Sequence, residues 1–107
     1  ENLRVARAID EIYIAELRTA KLYLAVSQAG AVVTQSVTTC TKGDDAQHGV
    51  VVSLWAVSSV DFFTANFYRF DWDFLDRVSQ RITNEVREVG AVTYRVSNKP
   101  PSTIEWG

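Results

Sequence analysis

The sequence predicts a two-layer α+β domain in which two main helices cover one face of a three-stranded sheet, in the order α-β-β-α-β. Three observations support this fold class. The 107 residues are enough for one domain with one core. Two segments carry apolar residues at helical spacing, and three segments are rich in β-branched or apolar residues. With 47% hydrophobic residues, the composition excludes a disordered chain. Residues 1–107 are therefore predicted to form a single domain.

The first element is a helix over about residues 3–20. Its apolar residues recur three or four positions apart and so share one face: Val5, Ile9, Ile12, Tyr13 and Leu17. Residues 21–29 are predicted to continue as a second short helix or a turn. A run of Val, Thr, Ser and Gln over residues 31–41 then predicts the first strand.

A turn signal at residues 42–45 opens a polar loop that is predicted to continue to Gly49. Residues 50–57 form a second strand that is apolar on both faces, which is typical of a central strand or of a strand at an interface. An aromatic-rich connection follows, over residues 62–74. We expect its rings to pack into the core, because the acidic residues among them would repel the phosphates of a nucleic acid.

Asp71 is the predicted N-cap of the second helix. The apolar stripe of that helix is Leu75, Val78, Ile82 and Val86, and Gly90 is read as its stop signal. Residues 91–96 form the third strand. The sequence Asn98-Lys99-Pro100-Pro101 then breaks the pattern, and residues 103–106 form a short extended tail.

Charge and residue counts exclude several classes of protein. A formal charge of −2 argues against a nucleic-acid module, and no apolar run is long enough to cross a membrane. Cys40 is the single cysteine, which excludes an intrachain disulfide and fits a reducing, cytoplasmic location. No metal site is expected. Because the chain contains no Met, we expect it to be part of a longer protein.

The sheet face that the helices leave uncovered is predicted to carry much apolar material. A small domain with a second apolar face usually buries that face against a partner, often a copy of itself. The sequence therefore predicts a homodimer.

Four stretches carry a resemblance to a known family: Ile14-Ala15-Glu16-Leu17-Arg18-Thr19-Ala20-Lys21-Leu22-Tyr23, residues 59–66, residues 73–86, and the ending Ser97-Asn98-Lys99-Pro100-Pro101-Ser102-Thr103-Ile104-Glu105-Trp106. The first is similar to I-E-E-L-R-x-A-G-L-Y, and the ending is similar to K-P-P-x-T-I-E-W-E. Together they resemble the C-terminal domain of glutamine-hydrolysing GMP synthase, across nearly the whole chain. If the tail reaches the family's last residues, any missing part precedes Glu1.

The resemblance implies a role in the conversion of XMP to GMP. In that enzyme a glutaminase domain releases ammonia, and an ATP-pyrophosphatase domain uses ATP and Mg²⁺ to activate XMP. The C-terminal domain mediates dimerisation and supplies part of the XMP pocket, with no cofactor of its own. By resemblance, Lys99 binds the XMP phosphate, Ile104 and Glu105 meet the base, and Gln28 also contacts XMP. The resemblance assigns no catalytic residue to this domain, so the chain alone is expected to be inactive.

The chain departs from the family pattern at several positions. Ala46, Trp55 and Ala91 stand where the family has arginine, and Gly107 replaces the final glutamate. Each lost arginine removes a bidentate phosphate donor, for which Lys42 or Arg95 can substitute. The alternative interpretation is therefore a degenerate structural dimerisation module that no longer binds a ligand.

A third interpretation comes from topology, because α-β-β-α-β is also the order of KH-like RNA-binding domains. That class requires a G-x-x-G loop between helices and a basic face, and the sequence has neither. A Cys40–His48 catalytic pair and a metal site at Asp44, Asp45 and His48 are weaker alternatives still, since both lie in a polar stretch that is more simply explained as a solvated turn.

Overall fold

The computed structural model describes residues 2–26, 28–42, 45–58 and 66–96. Two helices, α1 (Asn2–Thr19) and α2 (Trp72–Glu85), accompany three strands, β1 (Gln28–Lys42), β2 (Asp45–Val57) and β3 (Val89–Tyr94). The sheet order is β1-β2-β3, with β1 antiparallel and β3 parallel to the central β2. The predicted α+β class, the α-β-β-α-β order and the central position of the second strand are confirmed.

Helix α1 buries the stripe that its sequence predicts. All five stripe residues are buried, and Tyr13 is fully so. The Tyr13 hydroxyl donates a hydrogen bond to the carbonyl of Trp55, 3.1 Å away, which ties α1 to the central strand. Burial raises the pKa of Tyr13 far above its ordinary value, because the phenolate form loses its hydration.

Both helices pack on the same face of the sheet. One apolar cluster joins the α1 and α2 stripes to alternate residues of β2, namely Val52, Leu54 and Ala56. Since side chains alternate along a strand, the remaining β2 residues point to the opposite face. This arrangement confirms the two-layer architecture.

The hairpin of β1 and β2 is longer than the sequence predicts. The expected polar loop up to Gly49 is wrong, because Asp45 to Gly49 belong to β2 and pair with β1, with Thr38 opposite Gly49. The first strand also begins at Gln28 rather than at residue 31. Strand pairing satisfies backbone groups whatever the side chains are, so polar residues stay in register once the neighbouring strand is present.

Helix α2 begins after Asp71, which has the extended backbone of an N-cap but no capping side-chain hydrogen bond. Its buried face is Phe74, Val78 and Ile82, whereas Leu75 is only partly buried. Phe70 stacks on Phe74 with ring centroids 4.6 Å apart, and this aromatic contact belongs to the buried face of the helix.

Core packing of the aromatic connection is confirmed for Phe70 and Phe74 but is wrong for Trp72, whose side chain is 84% exposed. Phe62 and Phe63 lie outside the described residues.

Gly90 does not end α2, which stops at Glu85, and β3 begins at Val89 rather than at residue 91. Gly90 is the extra residue where the pairing of β3 with β2 shifts register, between Val50 opposite Val89 and Val51 opposite Ala91. A Cβ on Gly49 would lie only 2.6 Å from the Gly90 Cα. The two glycines therefore permit a close backbone approach between β2 and β3.

Candidate functional site

Of the four residues predicted to bind a ligand, only Gln28 is described by the structure. Lys99, Ile104 and Glu105 lie outside the described residues. Gln28 is the first residue of β1, and its side chain is exposed. The site can therefore be built from the Gln28 end of the sheet and from the positions where the chain departs from its family.

Gln28 borders an apolar groove of about 360 Å³ at the C-terminal end of α1. The other lining residues come from α1, from the connection after it and from β1: Ile14, Leu17, Tyr23, Leu24, Val26 and Ala29. The polar side chains of this lining are Gln28, whose amide can both donate and accept a hydrogen bond, and Tyr23, which carries a hydroxyl. An apolar groove with a few polar groups suits a flat heteroaromatic ring with polar edges.

The wall of this groove is positioned by the way α1 ends. The Leu22 amide donates to the Leu17 carbonyl at 2.8 Å, and the Lys21 amide donates to the Arg18 carbonyl at 3.0 Å. This pair of bonds is a Schellman motif, and it requires a left-handed residue after the helix. Lys21 occupies that position with φ of 61°. The motif turns the chain sharply and directs Tyr23 toward the groove.

Tyr23 is held in place by Arg18, the basic residue in the last turn of α1. The Arg18 guanidinium carbon lies 4.7 Å from the centroid of the Tyr23 ring, which is a cation–π contact. A cation at this end also interacts favourably with the helix dipole. Arg18 and Tyr23 therefore place a positive charge and an aromatic ring beside the groove that Gln28 borders.

The second candidate surface is the sheet face opposite the helices, which we call the open sheet face. It is formed by alternate residues of the three strands: Gly30, Val32, Val51, Ser53, Trp55, Ala91 and Thr93. None of them belongs to the core cluster that joins the sheet to the helices. Val32, Val51, Trp55 and Ala91 are partly exposed, so the predicted apolar second face is present in the described part of the chain.

The three positions that hold arginine in the resembling family do not converge in this fold. Trp55 pairs with Gly30 on the open sheet face, and Ala91 pairs with Val51 on the same face, four residues further along β2. Ala46 lies nine residues from Trp55 along the same strand, roughly 30 Å away at 3.3 Å per residue. Within one chain the three positions cannot line a single phosphate site.

The two predicted substitutes for those arginines fall at opposite ends of the sheet. The Arg95 amide donates to the Leu54 carbonyl at 2.9 Å and so continues the pairing of β3 with β2. Lys42 pairs with Asp45 at the far end of the hairpin, and its side chain lies outside the described part.

A second groove, which the sequence analysis does not predict, lies between α2 and β3. It has a volume of about 360 Å³, and Trp72, Leu75 and Tyr94 are among its lining residues. Tyr94 donates its hydroxyl proton to the Tyr68 carbonyl at 2.5 Å, and burial raises its pKa well above the ordinary range. The only sequence signal for this groove is the aromatic residue in the first turn of α2.

The described residues contain no group of three or more histidine, cysteine, aspartate or glutamate side chains placed to hold a metal ion. Neither of the two helices combines the length and the apolar character that crossing a membrane requires. Asp44 and the side chain of Cys40 lie outside the described part.

Comparison with known proteins assigns the chain to a family. The family model described as GMP synthase C terminal domain matches residues 15–106. The chain is 47% identical over 106 residues to proteins named GMP synthase [glutamine-hydrolyzing] from Rhizobium etli, Sinorhizobium fredii and Legionella pneumophila. These alignments cover 99% of the chain and 20% of each relative, so the chain spans about a fifth of the length of the proteins it matches.

Proposed function

Because the chain belongs to the family of GMP synthase C-terminal domains, we propose that it joins two subunits of a glutamine-hydrolysing GMP synthase and completes the XMP site. The observation that carries the proposal is the family match over residues 15–106, which includes the tail with Lys99 and Glu105. In the whole enzyme an ATP-pyrophosphatase domain adenylates the xanthine C2 oxygen with ATP and Mg²⁺. Ammonia from a glutaminase domain then displaces AMP to give GMP.

The proposed phosphate ligand is Lys99, whose ammonium group offers three donors and a full positive charge. Pro100 and Pro101 fix the backbone dihedrals that follow it and lower the entropy lost when the tail becomes ordered around XMP. The Glu105 carboxylate accepts from purine N–H groups, and the backbone of Ile104 pairs with the edge of the base. The three contacting residues, Lys99, Ile104 and Glu105, lie within seven positions, so a single segment contacts both ends of the nucleotide.

Gln28 is the proposed contact from the folded part of the domain. Its amide is exposed at the mouth of the groove beside Tyr23, where a purine edge finds both a donor and an acceptor. The nearby Arg18 adds a positive charge that favours an anionic nucleotide. The proposal therefore includes Gln28 as a base contact and the tail as the principal binding element.

The chain by itself is expected to catalyse nothing. Its sequence holds neither the glutaminase cysteine motif nor the S-G-G-x-D-S pyrophosphate loop, and its proposed residues bind substrate without changing it. We propose a cytoplasmic location for the enzyme, where Cys40, the single cysteine of this chain, stays reduced.

A second candidate function is a dimerisation module that has lost XMP binding. The observation that favours it is the presence of Trp55 and Ala91 on the open sheet face where the family carries arginine. Neither side chain supplies the positive charge and the paired donors with which arginine binds a phosphate. The two candidates make opposite predictions about the contribution of Lys99 to XMP affinity.

Calorimetric titration of XMP into the intact synthase that carries this domain tests both candidates. Lys99→Ala removes a charge-assisted contact and should raise the dissociation constant about 10- to 100-fold. The matched control is Arg87→Ala, which removes an exposed cation from the turn before β3 and should leave the constant unchanged. An unaltered XMP affinity in the Lys99→Ala enzyme would contradict ligand binding by the tail and leave the dimerisation module as the better interpretation.

A further inference from the structure

We infer that Tyr23 is the stacking surface for the purine ring of XMP and that Arg18 is the positioning residue that holds the Tyr23 ring. This inference rests on the proposed XMP site and adds to it an aromatic contact that the family resemblance does not assign. Tyr23 contacts the base of the nucleotide, whereas Lys99 of the tail binds the phosphate.

Tyr23 and Leu24 are presented outward by a short turn that is fixed at both ends. The Ala25 amide donates to the Leu22 carbonyl at 2.9 Å, which closes the turn around the two residues between them. Leu22 and Val26 pack against the core cluster. Between these two anchors, Tyr23 is 44% exposed and Leu24 is 93% exposed. Because the turn is already fixed, a side chain on it loses little conformational freedom when a ligand binds.

Arg18 holds the Tyr23 ring from outside the groove. Its guanidinium carbon lies 4.7 Å from the ring centroid, and Arg18 is not one of the described residues that line the groove. A cation over one face of an aromatic ring restrains the ring and leaves the other face to a flat partner. The arrangement therefore prepares Tyr23 for stacking before any ligand is bound.

The groove has the size and the chemistry for one ring system. Its volume of about 360 Å³ lies at the lower end of the range for small-molecule sites. Stacking on an aromatic side chain is favourable for every nucleobase, because each base has a π face. The exposed Gln28 amide supplies a donor and an acceptor to the polar edge of the same ring. Tyr23 therefore contributes affinity for the base, and Gln28 contributes its recognition.

Calorimetric titration of XMP into the intact synthase that carries this domain tests the inference. Tyr23→Leu removes the aromatic face but keeps an apolar side chain, and it should raise the dissociation constant for XMP about 5- to 50-fold. Tyr23→Phe keeps the ring and should change the constant less than about threefold. The matched control is Trp72→Leu, which removes an 84% exposed aromatic ring from the other groove and should leave the constant unchanged.

Ribose 5-phosphate, added as a competitor of XMP, measures the phosphate contact without the base. Its affinity should be the same in the Tyr23→Leu enzyme and in the unsubstituted enzyme, because stacking requires a purine. Equal weakening of XMP and ribose 5-phosphate would overturn the inference, since the substitution would then act through the fold or through the phosphate contact. A Tyr23→Phe enzyme as weak as Tyr23→Leu would overturn it too, because the hydroxyl rather than the ring would then make the contact.

A double-mutant cycle tests the role of Arg18. Arg18→Gln removes the cation over the ring and should raise the dissociation constant for XMP about 3- to 10-fold. The same substitution in the Tyr23→Leu enzyme should have a much smaller effect, because a positioning residue acts through the ring that it holds. An effect of Arg18→Gln that is equally large in both enzymes would contradict the positioning role.

Lys99→Ala in the same titration separates a failure of this inference from a failure of the proposed site. If Lys99→Ala weakens XMP binding and Tyr23→Leu does not, the tail binds XMP and the groove does not take the base. If neither substitution weakens binding, the proposed XMP site fails, and this inference fails with it. A Tyr23→Leu enzyme that binds XMP normally but unfolds at a lower temperature would also overturn the inference, because the groove would then pack against another part of the synthase.

Discussion

Replacing Lys21 by glycine should stabilise the domain. Lys21 holds the left-handed position of the Schellman motif with φ of 61°, where an L-residue other than glycine is strained by roughly 1–2 kcal/mol. Glycine removes that strain, but it also makes the unfolded chain more flexible. The greater loss of conformational entropy on folding offsets roughly 0.5–1 kcal/mol of the gain. The net gain is therefore about 1 kcal/mol. The family pattern A-G-L-Y, which this stretch resembles, has glycine at the same position.

Urea unfolding followed by circular dichroism measures this gain. Lys21→Ala is the reference, because it removes the charge next to the helix C-terminus and keeps the Cβ. The free energy of unfolding of the Lys21→Gly variant should be about 1 kcal/mol higher than that of the Lys21→Ala variant. The control position is Thr19, inside the last turn of α1. There the Thr19→Ala variant should have a free energy of unfolding about 1 kcal/mol higher than the Thr19→Gly variant, because alanine has the higher helix propensity. If the Lys21→Ala variant is as stable as the Lys21→Gly variant, or more stable, the backbone strain assigned to Lys21 is absent.

Three further predictions concern the core. Gly49→Ala should cost about 2–3 kcal/mol in urea unfolding, since its Cβ meets the Gly90 backbone at 2.6 Å; an unchanged midpoint would contradict that close approach. The free energy of unfolding should fall above about pH 10, by up to roughly 1.4 kcal/mol per pH unit for each buried tyrosine, because the unfolded phenol ionises before the folded one. Tyr13→Phe should flatten that decline, and an equal slope in both proteins would refute the assignment. Glu16→Gln should lower the free energy of unfolding by about 1 kcal/mol, because the buried carboxylate accepts hydrogen bonds from Arg77 and Arg81 at 3.1 Å. The effect is modest because both guanidinium groups keep much of their hydration. Thermal unfolding that matches that of the unsubstituted chain would show that α1 and α2 are held by apolar contact alone.

Periodicity was sufficient for the elements whose side chains enter the core. The α1 stripe from Val5 to Leu17 follows from spacing alone, because apolar burial acts on side chains that are encoded one by one. The family assignment follows in the same way from the tail signature around Lys99, which the comparison over residues 15–106 supports. For the proposed site, the resemblance predicted four ligand-binding residues, and the structure describes one of them, Gln28.

Other features depend on partners that are distant in the sequence. The hairpin extends through polar residues up to Gly49 because a neighbouring strand satisfies their backbone groups, and side-chain polarity does not report that pairing. The sequence predicts Gly90 as a helix stop, whereas the structure shows that it lies against the backbone of Gly49 in the neighbouring strand. Likewise Trp55 is simply an apolar strand residue in sequence, and only the structure shows that its ring lies against the backbone of Gly30. The sequence by itself determined the buried stripe of α1 and which family the chain resembles. The tertiary structure decided how far the strands extend and which face of β2 enters the core, because both depend on contacts with elements that are distant in the sequence.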